Sequence, residues 1–197
     1  MEETDSARYS TLGVTLHWLT AVVVLVAFIY GMGGSETRVY AASNDFQRQL
    51  HETLGLLVFC LVLIRITWRL DATTPEPPPS PRWMTLAAGA VQLAMYCLLV
   101  ALPVTATLGA WLEGHPLTLL TGVRIGPLLH ESHAVGATIA KVHTWLGDAI
   151  MWLAGLHACA ALFHHFVLKD GVLASMLPSW MPLRRQHIDG NRDLETS

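Results

Sequence analysis

The sequence predicts an all-α membrane protein, a four-helix bundle with both termini in the cytoplasm. Of its 197 residues, 52% are hydrophobic and only 14% are charged, whereas soluble domains carry about 25% charged residues. Four segments are each apolar over the roughly 20 residues that a helix needs to cross a bilayer. The net charge is −3, and the chain has no basic run, so nothing indicates binding to nucleic acid.

The predicted spans cover about residues 12–32, 49–70, 83–112 and 142–168. The first has no charged residue between Arg8 and Glu36. It is too long for the apolar part of a cleaved signal peptide, so we expect it to be retained. Arg65 and Arg69 are placed to extend toward water at the end of the second span.

The remaining segments divide the chain into one membrane domain and a tail. A proline-rich stretch at 75–81 cannot continue a helix and is predicted to be a stiff connector. We expect residues 113–141 to form a short surface helix or a partly re-entrant loop. Residues 1–178 are assigned to the membrane domain, and residues 179–197 to a polar cytoplasmic tail.

The orientation follows from the basic residues outside the spans. With the N-terminus inside, the inner side holds eight of them and the outer side four, which favours cytoplasmic termini in a multi-pass membrane protein. The inner ones are Arg8, Arg65, Arg69, Arg82, Lys169, Arg184, Arg185 and Arg192, and the outer ones are Arg38, Arg48, Arg124 and Lys141.

Four histidines are the candidate functional residues. His143 and His157 are fourteen residues apart in the fourth span, which is about 21 Å along a helix and returns to nearly the same face. His17 opens the first span at the inner side, and His51 opens the second at the outer side. Depth therefore pairs His17 with His157, and His51 with His143.

This arrangement predicts two b-type haems, one near each side of the membrane. A histidine at membrane depth needs a partner, and two axial histidines on one iron favour electron transfer over oxygen activation. The cysteines Cys60, Cys97 and Cys159 show no spacing for covalent haem attachment or for zinc, and suit small core residues. Neutral imidazole also binds zinc or copper, but those ligands would be gathered at one place. A histidine-lined metal transporter is therefore the weaker alternative.

Four segments together resemble the bacterial cytochrome b561 family. They are TLHWL at 15–19, HETLG at 51–55, HTWLGD at 143–148 and LHACAALFHH at 156–165, and Lys169-Asp170 and Leu177-Pro178 fit the same family. The resemblance covers nearly the whole chain from Tyr9 to Pro178. It implies a four-helix cytochrome with two b haems, held by the same histidine set that the spacing indicates.

The resemblance also implies an activity, because the family includes a superoxide oxidase. Such a superoxide:ubiquinone oxidoreductase takes electrons from periplasmic superoxide and passes them through both haems to ubiquinone. The chain is similar to that member in length, in span number and in its His164-His165 pair, which the resemblance favours as a quinone contact. The alternative for this pair is a place at a helix end near the interface, where the dipole favours cationic histidine.

Several other residues have two interpretations. Arg48 and Lys141 are within one turn of His51 and His143, and we expect them to contact haem propionates unless they serve as interfacial anchors. Arg8 or Arg65 would serve the inner haem in the same way. Asp148 is interpreted as a hydrogen-bond acceptor behind His143, as a proton relay, or as a tolerated polar residue near the interface. We expect a solvated surface role for His115, His130 and His133, with metal binding or contact with a redox partner as the alternatives.

A second function remains open at this point. The chain suits an electron-carrier and anchor subunit of a membrane dehydrogenase or hydrogenase, with residues 113–141 as its docking surface. The outer loops hold more acidic than basic residues, so net charge does not steer the superoxide anion. A local cluster of Arg48, Arg124 and Lys141 would do so.

Overall fold

The structure is a computed structural model that describes residues 9–31, 33, 35–71 and 80–177. Arg8, most of the predicted proline-rich connector and the predicted polar tail lie outside the described residues. Within them the helices are α1 (Thr11–Tyr30), α2 (Glu36–Val39), α3 (Asp45–Asp71), α4 (Arg82–Leu112), α5 (His133–Phe163) and α6 (Val172–Ser175). The helices α1, α3, α4 and α5 are long and apolar enough to cross a membrane, which confirms the all-α membrane bundle.

The four long helices alternate in direction and pack in chain order. α1 packs against α3, α3 against α4, and α4 against α5. The buried side chains that join them are Leu16, Val23, Val58, Leu61, Val62, Leu99 and Ile150. Large side chains such as Trp152, which is 78% exposed, cover the outside of the bundle. An apolar surface of this kind suits lipid rather than water.

The two ends of the bundle differ. A small antiparallel hairpin pairs β1 (Leu117–Thr118) with β2 (Arg124–Ile125) beside the start of α3, and we call this the hairpin end. The opposite end, where α1 begins and α5 finishes, is called the termini end. At the termini end, α5 continues into a π-helical turn at His164–Leu168.

Two boundaries differ from the sequence prediction. α3 begins at Asp45, and α5 begins at His133, nine residues before the predicted start at 142. Both helices extend past the apolar part of their sequence, where hydropathy carries no signal. The expected short surface helix at 113–141 is wrong, because the hairpin and the first turns of α5 occupy that segment. The alternative of a partly re-entrant loop stays a prediction.

Side chains of α3 attach the hairpin to the bundle. The backbone N–H of Thr118 donates to Glu52 Oε2 at 2.5 Å, and that of Leu120 donates to Thr53 Oγ1 at 3.0 Å. Arg48 holds the other oxygen of Glu52 at 3.0 Å and also binds Asp45 at 2.8 Å. The hairpin is therefore fixed directly to the residues that flank His51.

A second polar group at this end surrounds a buried carboxylate, Glu113. Glu113 is only 8% exposed and packs against the backbone of Gly136. Burial, and then the charge of Glu36, raise the pKa of Glu113, while His115 and His133 act in the opposite direction. Glu36 accepts a hydrogen bond from His115 Nε2 at 2.7 Å. Burial and the Glu52 charge likewise raise the pKa of Tyr40, which stacks on His115.

Replacing Glu113 by Gln should stabilise the protein at neutral pH. A raised pKa means that the folded state binds the proton more tightly than the unfolded state. The free energy of unfolding of the native protein therefore decreases as the pH rises above 4.5, the ordinary pKa of a glutamate. Thermal unfolding in detergent should show a higher Tm for Glu113→Gln at pH 7, with the difference vanishing toward pH 4. The exposed Glu131→Gln should change little. A gain that does not depend on pH would contradict this assignment.

Candidate functional site

The structure brings the four predicted histidines together as two pairs. The ring centroids of His17 and His157 are 6.4 Å apart with their planes at 70°, and those of His51 and His143 are 6.0 Å apart at 83°. α5 supplies one ring of each pair, while α1 and α3 supply the others. The first pair lies toward the termini end and the second toward the hairpin end.

The spacing of each pair suits one metal ion between two imidazoles. Imidazole nitrogen binds a first-row metal such as zinc at about 2.0–2.1 Å, and the ring centre lies about 1.2 Å further out, so rings on opposite sides of one metal have centroids about 6.4 Å apart. Both measured separations agree with this value. Axial ligation of a haem iron by two histidines has the same arrangement.

His51 is oriented by the end of α1. Its Nδ1–H donates to the carbonyl of Ala27 at 2.7 Å. Ala27 is one of the last four residues of α1, whose carbonyls have no partner within the helix, and Gly31 N instead bonds to Phe28 O. Because a carbonyl only accepts, Nδ1 must carry the hydrogen and Nε2 keeps its lone pair for a metal.

His143 is oriented in the same way by α4. Its Nδ1–H donates to the carbonyl of Leu102 at 2.9 Å, and Thr105 Oγ1 lies 3.3 Å from the same nitrogen. Leu102 lies inside α4, and its carbonyl also accepts a hydrogen bond from Thr105 Oγ1 at 3.0 Å. Hydrogen bonds of this kind fix the tautomer and ring orientation of metal-binding histidines.

The pair at the termini end is held differently. Among the described residues, the ring nitrogens of His17 and His157 have no hydrogen-bond partner. Trp18 lies edge-on to His17, with ring centroids 5.5 Å apart, and its Nε1–H donates to Met176 O at 2.8 Å. The ring of His17 is thus positioned by packing, with the chain after α5 folded back onto α1.

Open space beside the hairpin-end pair fits a flat macrocycle. Gly55 and Gly147 each follow a paired histidine by four residues, so each lies on the same helix face one turn on. A Cβ added at either glycine would meet no atom within 4 Å. An open pocket lined by Phe28, Asp148, Met151 and Trp152 continues between α1 and α5. The donors and the space together fit haem b.

The predicted propionate contacts already have protein partners. The Arg48 guanidinium binds Asp45 and Glu52 and lies 5.1 Å from the centre of the Tyr40 ring. Lys141 Nζ lies 5.2 Å from the Trp145 ring centre on its own helix, and the Arg65 guanidinium lies over Tyr96 at 5.6 Å. Propionate binding by Arg48 and Lys141 stays a prediction.

The structure separates His164 from His165. His164 Nδ1 is 2.5 Å from Asp170 Oδ2, whereas His165 packs edge-on against Phe166 at 4.8 Å between ring centroids. The sequence analysis assigned Asp170 no role. Its spacing of six residues from His164 spans a π-turn and an irregular bend, so the spacing rules for regular helices did not connect the two.

The other candidate residues group at the hairpin end. His115 and His133 approach opposite oxygens of Glu36, at 2.7 and 3.9 Å, and His130 is exposed. Nevertheless, no three His, Cys, Asp or Glu side chains in the described part of the chain are arranged to hold a metal ion. Asp148 lines the open pocket. Glu52, which sequence reasoning missed, anchors the hairpin next to His51.

Comparison with known proteins gives a consistent result. The family model described as prokaryotic cytochrome b561 matches residues 8–179. Cytochrome b561 homolog 2 of Escherichia coli is 32% identical over 86% of this chain and 91% of its own length. Cytochrome b562 of Cereibacter sphaeroides is 33% identical over 88% and 98%. The probable superoxide oxidase CybB of Yersinia pestis is 28% identical over 87% and 96%.

A leucine at Gly147 should lower haem content. The added side chain would enter the open space beside His143 and His51, where a macrocycle needs room. Ala149→Leu is the matched control, because Ala149 is exposed and lies about 160° around the same helix from Gly147. The Soret absorbance per purified chain should fall in Gly147→Leu and stay unchanged in Ala149→Leu. Equal haem content in the two variants would place the macrocycle elsewhere.

Proposed function

The chain belongs to the prokaryotic cytochrome b561 family, and we propose that it carries electrons from periplasmic superoxide to ubiquinone as a dihaem b-type cytochrome. Members of this family bind haem b and transfer electrons. The family and the four apolar helices together make the chain a multi-pass bacterial membrane protein. The number of haems, the donor, the acceptor and the inner-membrane location belong to the proposal.

The observation that carries the proposal is the pair of histidine couples at two depths of one bundle. His51 and His143 would hold one haem, and His17 and His157 the other. When bound, haem b supplies reversible one-electron transfer. The protein's own part is to orient the rings through Ala27 O and Leu102 O, to exclude competing ligands, and to keep the sites apart along α5.

The hairpin end is proposed to face the periplasm, because the distribution of basic residues favours cytoplasmic termini. At that end Arg124 and Lys141 are exposed, whereas Arg48 is neutralised by two carboxylates. Two exposed cations at this end, of which Lys141 is two residues from His143, provide an attraction for a small anion. The relative named a probable superoxide oxidase supports superoxide as that anion.

The termini end is proposed to reduce ubiquinone, with His164 or His165 beside the quinone. The overall reaction balances when two superoxide ions lose one electron each and become dioxygen, and one ubiquinone takes up two electrons and two protons to become ubiquinol. Protons must therefore be supplied where the quinone binds. An imidazole suits this task because it exchanges protons near neutral pH.

A second candidate function is an electron-carrier subunit that accepts electrons from a periplasmic dehydrogenase or hydrogenase. One observation favours it: the connection around the hairpin exposes the apolar side chains of Leu120, Val123 and Leu128, the last at 76%. An exposed apolar patch at a bundle end suits contact with another protein or with lipid. In this function the chain would be active only within a complex.

Haem stoichiometry tests the ligand assignment. We expect two b haems per purified chain in a pyridine haemochrome assay, and the loss of one or more in both His143→Ala and His157→Ala, because each substitution removes a histidine that would hold a haem. His130→Ala, which removes an exposed histidine at the hairpin end, is the control and should keep both. A single haem in the unmodified protein would contradict the dihaem assignment.

The redox reaction is tested with the purified, haem-loaded protein. Ubiquinone reduction should be observed while superoxide is generated enzymatically, and superoxide dismutase should abolish it because it removes the donor. His143→Ala should lower the rate at least about tenfold, since a ligand is lost on the donor side. If the haems are intact but ubiquinone is not reduced, the oxidase function is wrong. Co-purification of a stoichiometric periplasmic dehydrogenase would then favour the subunit function.

A further inference from the structure

The chain after α5 forms a closed turn around one carboxylate, Asp170. Its Oδ2 faces His164 Nδ1 at 2.5 Å, and its Oδ1 accepts a hydrogen bond from the backbone N–H of Val172 at 3.1 Å. The backbone N–H of Asp170 donates to His164 O at 3.3 Å. The side chains of His164 and Asp170 are 20% and 19% exposed. Both oxygens of this carboxylate are therefore committed as acceptors.

The backbone is shaped to bring these two residues together. The π-turn at His164–Leu168 widens the end of α5, and Lys169 adopts the left-handed conformation with φ of 53°. A non-glycine residue in that region is unusual, and π-turns are frequent at functional sites. The chain then continues into α6, whose end bonds to Trp18 through Met176 O. Asp170 thus lies in a segment anchored to both α5 and α1.

The arrangement fixes how His164 carries protons. A carboxylate at Nδ1 requires a hydrogen on that nitrogen, so Nε2 of the neutral ring has a free lone pair. The same carboxylate stabilises the ring once Nε2 also gains a proton, because an anion then lies beside the cation. His164 can therefore accept a proton at Nε2 and release it from the same nitrogen without rotation of the ring.

From this geometry we propose that Asp170 is the positioning residue that makes His164 the proton donor to the quinone. The inference rests on the proposed function and narrows its quinone contact to one histidine. In each turnover, Nε2–H of His164 gives its proton to an oxygen of the reduced quinone, and water on the cytoplasmic side returns a proton to Nε2. Two such transfers balance the two electrons that form ubiquinol. His165 packs against Phe166 and has no hydrogen-bond partner among the described residues, so it has no part in this.

The location agrees with this role. His164 is seven residues beyond His157, which is about 10 Å along the helix toward the termini end. A quinone between the two would lie near the His17/His157 pair and near the aqueous surface. Asp170 contacts neither the paired histidines nor the pocket that Asp148 lines. It acts only through His164.

Asp170→Asn isolates the charge and the tautomer. An asparagine can keep the bond from Val172 N–H with its oxygen, but its NH₂ group then faces His164 Nδ1. Nδ1 must then become an acceptor, so the hydrogen of the neutral ring moves to Nε2. The doubly protonated ring is destabilised, because its Nδ1–H would face the NH₂ group of the asparagine. The bond from Val172 N–H survives, because an amide oxygen accepts a hydrogen bond as a carboxylate oxygen does. The variant should therefore fold and bind haem normally.

The test uses the haem-loaded protein in detergent, reduced beforehand with dithionite and then mixed with ubiquinone, with the reoxidation followed in the Soret band. This half-reaction does not depend on superoxide. We expect the limiting rate constant for reoxidation by ubiquinone to fall at least about tenfold in Asp170→Asn, with the quinone concentration at half-maximal rate little changed and haem content unaltered. His164→Ala should fall at least as far, His165→Ala should stay near the unmodified protein, and the double variant His164→Ala/Asp170→Asn should equal His164→Ala.

A second readout does not involve activity. In the ¹⁵N NMR spectrum of reduced protein labelled with ¹⁵N-histidine, the neutral His164 ring should carry its hydrogen on Nδ1 and none on Nε2. This pattern should reverse in Asp170→Asn. The signals of His164 are identified by their loss in His164→Ala. The inference would be overturned if Asp170→Asn were reoxidised as fast as the unmodified protein, or if its tautomer were unchanged. It would also be overturned if the double variant were slower than His164→Ala by the further factor that Asp170→Asn shows alone. If ubiquinone does not reoxidise even the unmodified protein, the proposed acceptor is wrong instead.

Discussion

The architecture depends on holding four imidazole rings at membrane depth as two facing pairs. A ring at this depth is costly unless both nitrogens have partners. For His51 and His143 the bundle supplies one partner per ring from a neighbouring backbone, Ala27 O from α1 and Leu102 O from α4. Nε2 of each ring then keeps a free lone pair for a metal between the two rings. The 6.0 Å separation of His51 and His143 follows from this orientation, whereas His17 is positioned by packing against Trp18.

This requirement also explains why the bundle is not closed on all sides. α1 packs on α3, α3 on α4 and α4 on α5, whereas α1 and α5 are not close neighbours. His17 and His157 face each other across that seam, and the pocket beside Asp148 opens into it. Closer packing of α1 and α5 would remove the space between the paired rings. The bundle gives up some helix–helix contact so that a large flat group can enter.

The sequence predicted the four helices and the pairing of the histidines because both are set by simple periodicities. Apolar length identifies the spans, and a fourteen-residue step puts His143 and His157 on one face of a helix. The start of α5 at His133 was not predictable in this way, since its first turns are outside the apolar run. The hairpin was missed because its anchors are backbone N–H groups of Thr118 and Leu120, which bond to Glu52 and Thr53. A backbone donor has no signature in the sequence.

The same reasoning explains why Ala27 and Asp170 could not be recognised beforehand. Ala27 orients His51 only because α1 ends three residues later and leaves its carbonyl without a helical partner. Asp170 reaches His164 only because α5 ends in a π-turn and Lys169 turns left-handed. In both cases the end of a helix, rather than a side-chain motif, creates the hydrogen bond to a histidine. The candidate ligands are recognised by residue type, whereas their orientation depends on the backbone carbonyl that a neighbouring helix presents, at the end of α1 for His51 and inside α4 for His143.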